Sequence, residues 1–258
     1  MPVNDRAHSM VMKPRSISVS LLACAVITLA AFAIRTPLTL GSTYPWKVAA
    51  AFAVMTVFAL ALREEHPFPR LGWANRVTII RAMFVALVAG TIGEPPRRDV
   101  ASAIVVGIAL TAILDGVDGW LARRTRMSSP FGARIDMETD AASILVASVL
   151  VWQHGKAGVW VIAGGLMRYA FVASGWFLRW MRGTLTPTLR AKTITIAHVI
   201  GICVALAPIV RWPLSAIAVG TTTALLAWSF AVDVRRLWKQ RVSNPKSQIP
   251  NPKPQKES

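Results

Sequence analysis

The chain has 258 residues, of which 54% are hydrophobic and 16% charged, and its mean hydropathy is +0.48. A typical soluble domain has about 25% charged residues. A soluble domain of this size could not keep so much apolar surface from water, so the composition predicts an integral membrane protein. The formal charge of +17 comes from basic residues at the ends of apolar runs, which predicts a role in membrane topology and excludes nucleic-acid binding.

Apolar windows of about 20 residues, the length of a helix that crosses a bilayer, recur along the chain. Most of the 29 Lys and Arg residues fall on the side that holds the N-terminus. This predicts a multi-pass protein of the inner (cytoplasmic) membrane with both termini in the cytosol. The fold class is then all-α, a polytopic bundle of membrane helices. The predicted spans are about 17–34, 46–62, 74–92, 99–122, 133–152, 157–180, 193–210 and 213–234.

Four aspartates lie close together in the fourth and fifth predicted spans. Asp115 and Asp118 share one helix face, and Asp136 and Asp140 share a face of the next helix, because residues three or four apart are neighbours. A short cytosolic connection joins the spans, so we expect the carboxylates to converge near the cytosolic end. Such groups are costly in a membrane unless paired, hydrated or bound to metal. Carboxylates without His or Cys suit Mg²⁺ or Mn²⁺. The alternative is a structural network of acids and nearby arginines.

Small and basic residues accompany these acids. Gly119 allows a ligand to approach the backbone, and Arg123, one turn later, offers a forked donor to an anion. The spacing Asp-x2-Asp-Gly-x2-Ala-Arg-x8-Gly-x3-Asp-x3-Asp over residues 115–140 resembles the signature of the CDP-alcohol phosphatidyltransferases. All eight fixed positions are satisfied, which makes the motif far more specific than a lone glycine pattern.

The resemblance implies a six-helix membrane core, here residues 63–240, with the active site open to the cytosol. Residues 1–62 would then be an N-terminal extension with two membrane helices. The proline-rich residues 241–258 predict a disordered cytosolic tail. The resemblance also implies that the four aspartates hold one or two divalent ions, that Asp140 is also the general base, and that the protein is a homodimer. The contacts it implies for the CDP donor come from Gly119, Arg123, Ser129, Asn75, Thr78 and Arg81.

Basic residues in the later spans predict the acceptor site. Arg168 lies inside an apolar span, where a charge is costly unless it faces a hydrated cavity or an anion. Arg190 and Lys192 open the next span in a stretch that resembles the basic-x-Lys-Thr sequence of phosphatidylglycerophosphate synthases. The alternative for these two residues is the ordinary excess of positive charge on the cytosolic side.

The implied reaction is the attack of an alcohol on the phosphorus that bears the lipid in CDP-diacylglycerol, with release of CMP. Glycerol 3-phosphate is the acceptor that basic residues favour. The expected partners are therefore a CDP-linked lipid donor, a small alcohol acceptor and the surrounding membrane lipids. One alternative is the inverse enzyme, which moves a phospho-alcohol from a CDP-alcohol to diacylglycerol. Another, from a different class, is a polytopic transporter with a buried acidic ion site.

Overall fold

The computed structural model describes residues 14–61, 73–125, 130–182 and 188–243, and these segments contain helices and connecting turns without a β-strand. Every predicted span overlaps with an α-helix, which confirms the all-α fold class. Two short 3-10 helices, Val159–Val161 and Arg179–Arg182, flank α6. The α-helices of the described segments are α1 (Pro14–Arg35), α2 (Tyr44–Ala61), α3 (Trp73–Gly90), α4 (Arg98–Thr125), α5 (Pro130–Gln153), α6 (Ile162–Phe177), α7 (Leu189–Leu206) and α8 (Leu214–Ser243).

Three helices are long and apolar enough to cross a membrane, through Arg98–Trp120 of α4, Leu189–Leu206 of α7 and Leu214–Gln240 of α8. Shorter apolar helical stretches lie in α1, α2, α3 and the region of α6. Many large apolar side chains remain exposed, such as Phe177 and Ile209. Surrounding lipid satisfies side chains of this kind, so the protein is a membrane protein by length, composition and surface.

Helix α7 begins about one turn before the predicted span and ends about one turn earlier. The side-chain hydroxyl of Thr188 accepts a hydrogen bond from the backbone N–H of Ala191 at 3.2 Å, which caps the first turn. At the other end, Pro208 follows closely after Leu206 and has no N–H to continue the helix. The predicted bounds differ from the helix by about one turn because hydropathy alone ignores these end signals.

The described residues pack into two compact units, one within residues 1–95 and 113–139 and the other within 96–112 and 140–258. Helices α4 and α5 each contribute to both units. The predicted boundary between residues 62 and 63 lies outside the described residues. Helix α8 continues to Ser243, three residues into the predicted tail, and the remainder of the tail lies outside the described part of the chain.

In the first unit, α1 and α2 pack against α3. A Cβ atom at Gly90 of α3 would lie 2.9 Å from a carbon of the Tyr44 ring, so the close approach of α2 depends on the missing side chain. Lys47 Nζ donates hydrogen bonds to the carbonyl of Ile92 at 2.9 Å and to Glu94 Oε1 at 2.7 Å. The N–H of Gly41 donates to Glu94 Oε2 at 2.8 Å. The predicted N-terminal extension therefore packs against α3 and is hydrogen-bonded to the turn that follows it.

In the second unit, α7 and α8 form a closely packed pair, and α6 packs against them. A Cβ atom at Gly165 of α6 would lie 2.5 Å from Cα of Leu145, and one at Gly164 would lie 3.3 Å from Nε2 of the buried His198. Gly201 lies in similarly close contact with the side chain of Thr222. These glycines serve packing between helices of one chain, so they lend no support to the predicted homodimer.

Candidate active site

The candidate active site lies in the first unit, where α4 and α5 bring three carboxylates together. Asp115, Asp118 and Asp136 each offer a ligand oxygen, and these oxygens all lie within 4.8 Å of one another. The side chain of Asp118 is 6% exposed, whereas those of Asp115 and Asp136 are 33% and 35% exposed. The cluster therefore has a buried side and a side that the protein does not cover.

Arg81 of α3 forms ion pairs with all three acids. Its Nη1 donates to Asp118 Oδ2 at 2.7 Å and also to Asp136 Oδ1, and its Nη2 lies 3.0 Å from Asp115 Oδ1. The hydroxyl of Thr78, one turn earlier on α3, donates to Asp118 Oδ2 at 3.3 Å. Arg81 is 0% exposed. Three helices thus meet through one guanidinium, which offsets part of the repulsion among the carboxylates.

The donor set fits a hard divalent cation. Each acid supplies carboxylate oxygens and neither His nor Cys takes part, which suits Mg²⁺ or Mn²⁺ better than zinc or copper. Three carboxylates and one guanidinium leave a formal charge of −2, which one divalent ion would neutralise. Asp140 lies one turn after Asp136 on α5 but is not among the acids whose oxygens lie within 4.8 Å of one another, and its role as a fourth ligand stays a prediction.

The structure describes the side chains of only some of the predicted donor-binding residues. Thr78 and Arg81, which we expected to face the nucleotide, contact the aspartates, and their contact with the donor stays a prediction. Gly119 directly follows Asp118 on α4 and is partly exposed. Asn75 and Arg123 lie on α3 and α4, but their side chains are outside the described part of the structure. Ser129 also lies outside it.

The predicted acceptor residues all lie in the second unit. Arg168 is half-buried on α6, and Lys192 is exposed in the first turn of α7. Arg190 is held against α8, where its Nη2 donates to Asp233 Oδ1 at 2.5 Å and its guanidinium lies 5.4 Å from the Trp228 ring centre. Our sequence reasoning missed Asp233. The sequence does show an acid near the end of the last apolar span. Only the packing of α7 against α8 shows that this acid faces Arg190.

Residues 71–231, more than half of the chain, match the family described as CDP-alcohol phosphatidyltransferase. The chain belongs to this family. The matched region contains Arg81 and every aspartate of the motif. A curated relative from Pseudomonas fluorescens, named CDP-diacylglycerol–glycerol-3-phosphate 3-phosphatidyltransferase, is 31% identical over 122 residues. That alignment covers 46% of this chain and 62% of the relative. No solved structure matches the chain.

Membership explains why carboxylates gather in a membrane protein of this kind. Asp115, Asp118 and Asp136 hold their positions in the family motif, and the fold brings them together although 18 positions separate Asp118 from Asp136. The resemblance read from the sequence is therefore confirmed at the level of the family. The roles of the individual residues stay predictions.

Proposed function

We propose that this protein is an integral membrane transferase that moves a phosphatidyl group from CDP-diacylglycerol to glycerol 3-phosphate and releases CMP in phospholipid biosynthesis. The observation that carries the proposal is the cluster of Asp115, Asp118 and Asp136. It joins three carboxylates of the family motif within 4.8 Å, inside the region that matches the family. The choice of acceptor is supported by the name of the Pseudomonas relative and by the basic residues of α6 and α7.

The aspartates of the motif would hold one or two Mg²⁺ or Mn²⁺ ions, with Asp140 completing the set. A bound ion of this kind neutralises a diphosphate and stabilises the departing CMP. In the reaction, the acceptor oxygen forms a bond to the phosphorus that carries diacylglycerol, and the bond from that phosphorus to CMP breaks. Asp140 accepts the proton of the acceptor hydroxyl. Phosphoryl transfer depends mainly on positioning and charge neutralisation, so these few side chains suffice for the chemistry.

The two substrates are assigned to different residues. The residues assigned to the CDP part of the donor are Gly119, Arg123 and Ser129, which lie within residues 115–140, and Asn75, Thr78 and Arg81, which lie on α3. Arg168 and Lys192 attract the phosphate of the acceptor. Arg190 has a partner in Asp233, which lowers the net positive charge that it offers to an anion. Lys192 is therefore the better candidate of the two cations at the start of α7.

The central experiment measures CMP release by the purified protein in mild detergent. We expect release from CDP-diacylglycerol only when glycerol 3-phosphate and Mg²⁺ or Mn²⁺ are present, and loss of release when a chelator removes the ion. Release from CDP-choline or CDP-ethanolamine with diacylglycerol, and not from CDP-diacylglycerol, would establish the inverse enzyme. If no CDP-alcohol released CMP, a polytopic transporter would become the better interpretation.

An Asp140→Asn variant tests the general base. We expect kcat to fall by about 10²- to 10⁴-fold, the usual contribution of such a group. Asp99→Asn is the matched control, because Asp99 is an exposed acid in the first turn of α4 that pairs with the preceding Arg97. An Asp140→Asn enzyme with the kcat of the control would remove this residue from the reaction.

The proposed location and assembly have their own tests. For a protein of the inner membrane with both termini in the cytosol, reporters that work only in the cytosol should be active at either end of the chain. A homodimer should have twice the 28.0 kDa mass of one chain in mild detergent, after correction for bound detergent. An active protein that runs as a monomer would contradict the dimer.

A further inference from the structure

Arg81 occupies the centre of the carboxylate cluster. It is the largest fully buried side chain in the described part of the protein, with an exposed fraction of 0%, and it contacts one oxygen of each of three acids. A buried guanidinium is strongly stabilised by such partners, and the acids in turn depend on a nearby cation. Arg81 therefore serves as the counter-cation of the three acids, whether or not it also contacts a nucleotide.

The position of Nη1 overlaps with the position that a metal ion needs. Nη1 bonds to oxygens of both Asp118 and Asp136, which face each other across α4 and α5. Mg²⁺ binds carboxylate oxygens at about 2.0–2.1 Å, so an ion shared by these two acids lies between them. The guanidinium and the ion cannot fill the same space, and their positive charges repel each other.

The surroundings also provide a direction in which Arg81 can move. Asp115 and Asp136 are about one third exposed, so the cluster is uncovered on their side, whereas Asp118 is buried. An arginine side chain has several rotatable bonds and can keep one carboxylate contact while its head group turns outward. A diphosphate at this opening would offer the guanidinium new anionic partners.

We propose that Arg81 and a divalent cation compete for the carboxylates of Asp115, Asp118 and Asp136, so that binding of the ion displaces the guanidinium toward the diphosphate of the substrate. This inference rests on the proposed function for its second half, because the diphosphate belongs to the CDP-linked donor. The first half depends only on the geometry of the cluster. Arg81 is then a resident counter-cation that exchanges its partners and is not a fixed nucleotide ligand.

The test is a titration of Mn²⁺, without nucleotide, into the purified protein and its variants, with binding followed by calorimetry. We expect Arg81→Gln to bind Mn²⁺ at least about tenfold more tightly than the wild type, because the opposing charge is gone. Arg81→Lys should lie between them, since the ammonium keeps the opposing charge but has a shorter reach and lacks the forked geometry of the guanidinium. Arg97→Ala, which removes a cation from an exposed pair, is the matched control and should bind as the wild type does.

Binding by Arg81→Gln that equals or falls below that of the wild type would overturn the proposal, because Arg81 would then organise the ligands instead of competing for them. A wild-type protein that binds no Mn²⁺ would overturn the metal site itself, which is a separate failure. If Arg81→Gln does not fold, the wild type still decides the question by modification with phenylglyoxal, with Arg81 located by mass spectrometry. Saturating Mn²⁺ should raise the modification of Arg81, and an unchanged extent would contradict displacement.

Discussion

Replacement of Glu94 by Gln tests how firmly α1 and α2 are attached to α3. Glu94 lies between α3 and α4, and its side chain is 6% exposed. It accepts hydrogen bonds from Lys47 Nζ and from the N–H of Gly41, so its two oxygens both face donors. Gln has nearly the same shape, but it has no charge and only one acceptor oxygen. One donor therefore loses its partner and meets an amide NH₂ group.

The structure sets the size of the effect. Hydrogen bonds to charged groups contribute about 1.5–3 kcal/mol each to stability. A buried donor that is left without a partner destabilises the protein by a similar amount. Lys47 is 32% exposed, so water screens part of its interaction with Glu94. We expect the free energy of unfolding to fall by about 2 kcal/mol, which lowers Tm by about 4–8 °C in a chain of this size.

The pH dependence provides a second measurement on the same variant. Burial alone raises the pKa of Glu94, but the hydrogen bonds from Lys47 and Gly41 and the charge of Lys47 outweigh it, so the pKa lies below its ordinary value. A carboxyl whose pKa is lowered by folding stabilises the protein above its unfolded pKa. That contribution is lost as the pH falls through the folded pKa. The difference between wild type and Glu94→Gln should be full at pH 7 and shrink below about pH 4.3.

Thermal unfolding in mild detergent at a series of pH values provides the assay. Asp99→Asn is the control, because the pair of Asp99 with Arg97 is exposed to solvent and should contribute little to stability. A Glu94→Gln protein as stable as the wild type at pH 7 would refute the reasoning. So would a difference in Tm that stays constant to pH 3, because it would not come from the charge of Glu94.

Three further predictions concern the second unit. Arg168→Ala should lower kcat/KM for the acceptor by about 30- to 1,000-fold with little change in the KM of the donor. Arg168→Lys should restore only part of this kcat/KM. If the acceptor kinetics of Arg168→Ala equal those of the wild type, a neutral alcohol becomes the favoured acceptor. Gly165→Ala should reduce the free energy of unfolding by about 1–3 kcal/mol because its methyl group meets the backbone of α5, whereas Gly116→Ala, with open space around it, should not destabilise. Asp233→Asn should lower Tm, and it should strengthen acceptor binding if Arg190 gains net charge toward the site, which steady-state KM values would reveal.

The order of the helices and the family were determined by the sequence itself. An apolar window bounded by proline, glycine or charged residues is a local property of the sequence. Each predicted window overlaps with a helix in the described segments. The motif over residues 115–140 is also local, so its aspartates fall on two adjacent helices, and three of their carboxylates meet as expected. Patterns within one or two helices need no knowledge of the packing elsewhere.

Only the tertiary structure decided which cations these acids meet. Arg81 lies more than 30 residues before Asp115, and nothing in its own segment distinguishes a nucleotide contact from a bond to three carboxylates. The pairs of Lys47 with Glu94 and of Arg190 with Asp233 likewise join residues more than 40 positions apart. Contacts of this kind depend on how helices approach and rotate against one another, and that choice is made by the packing of many side chains together.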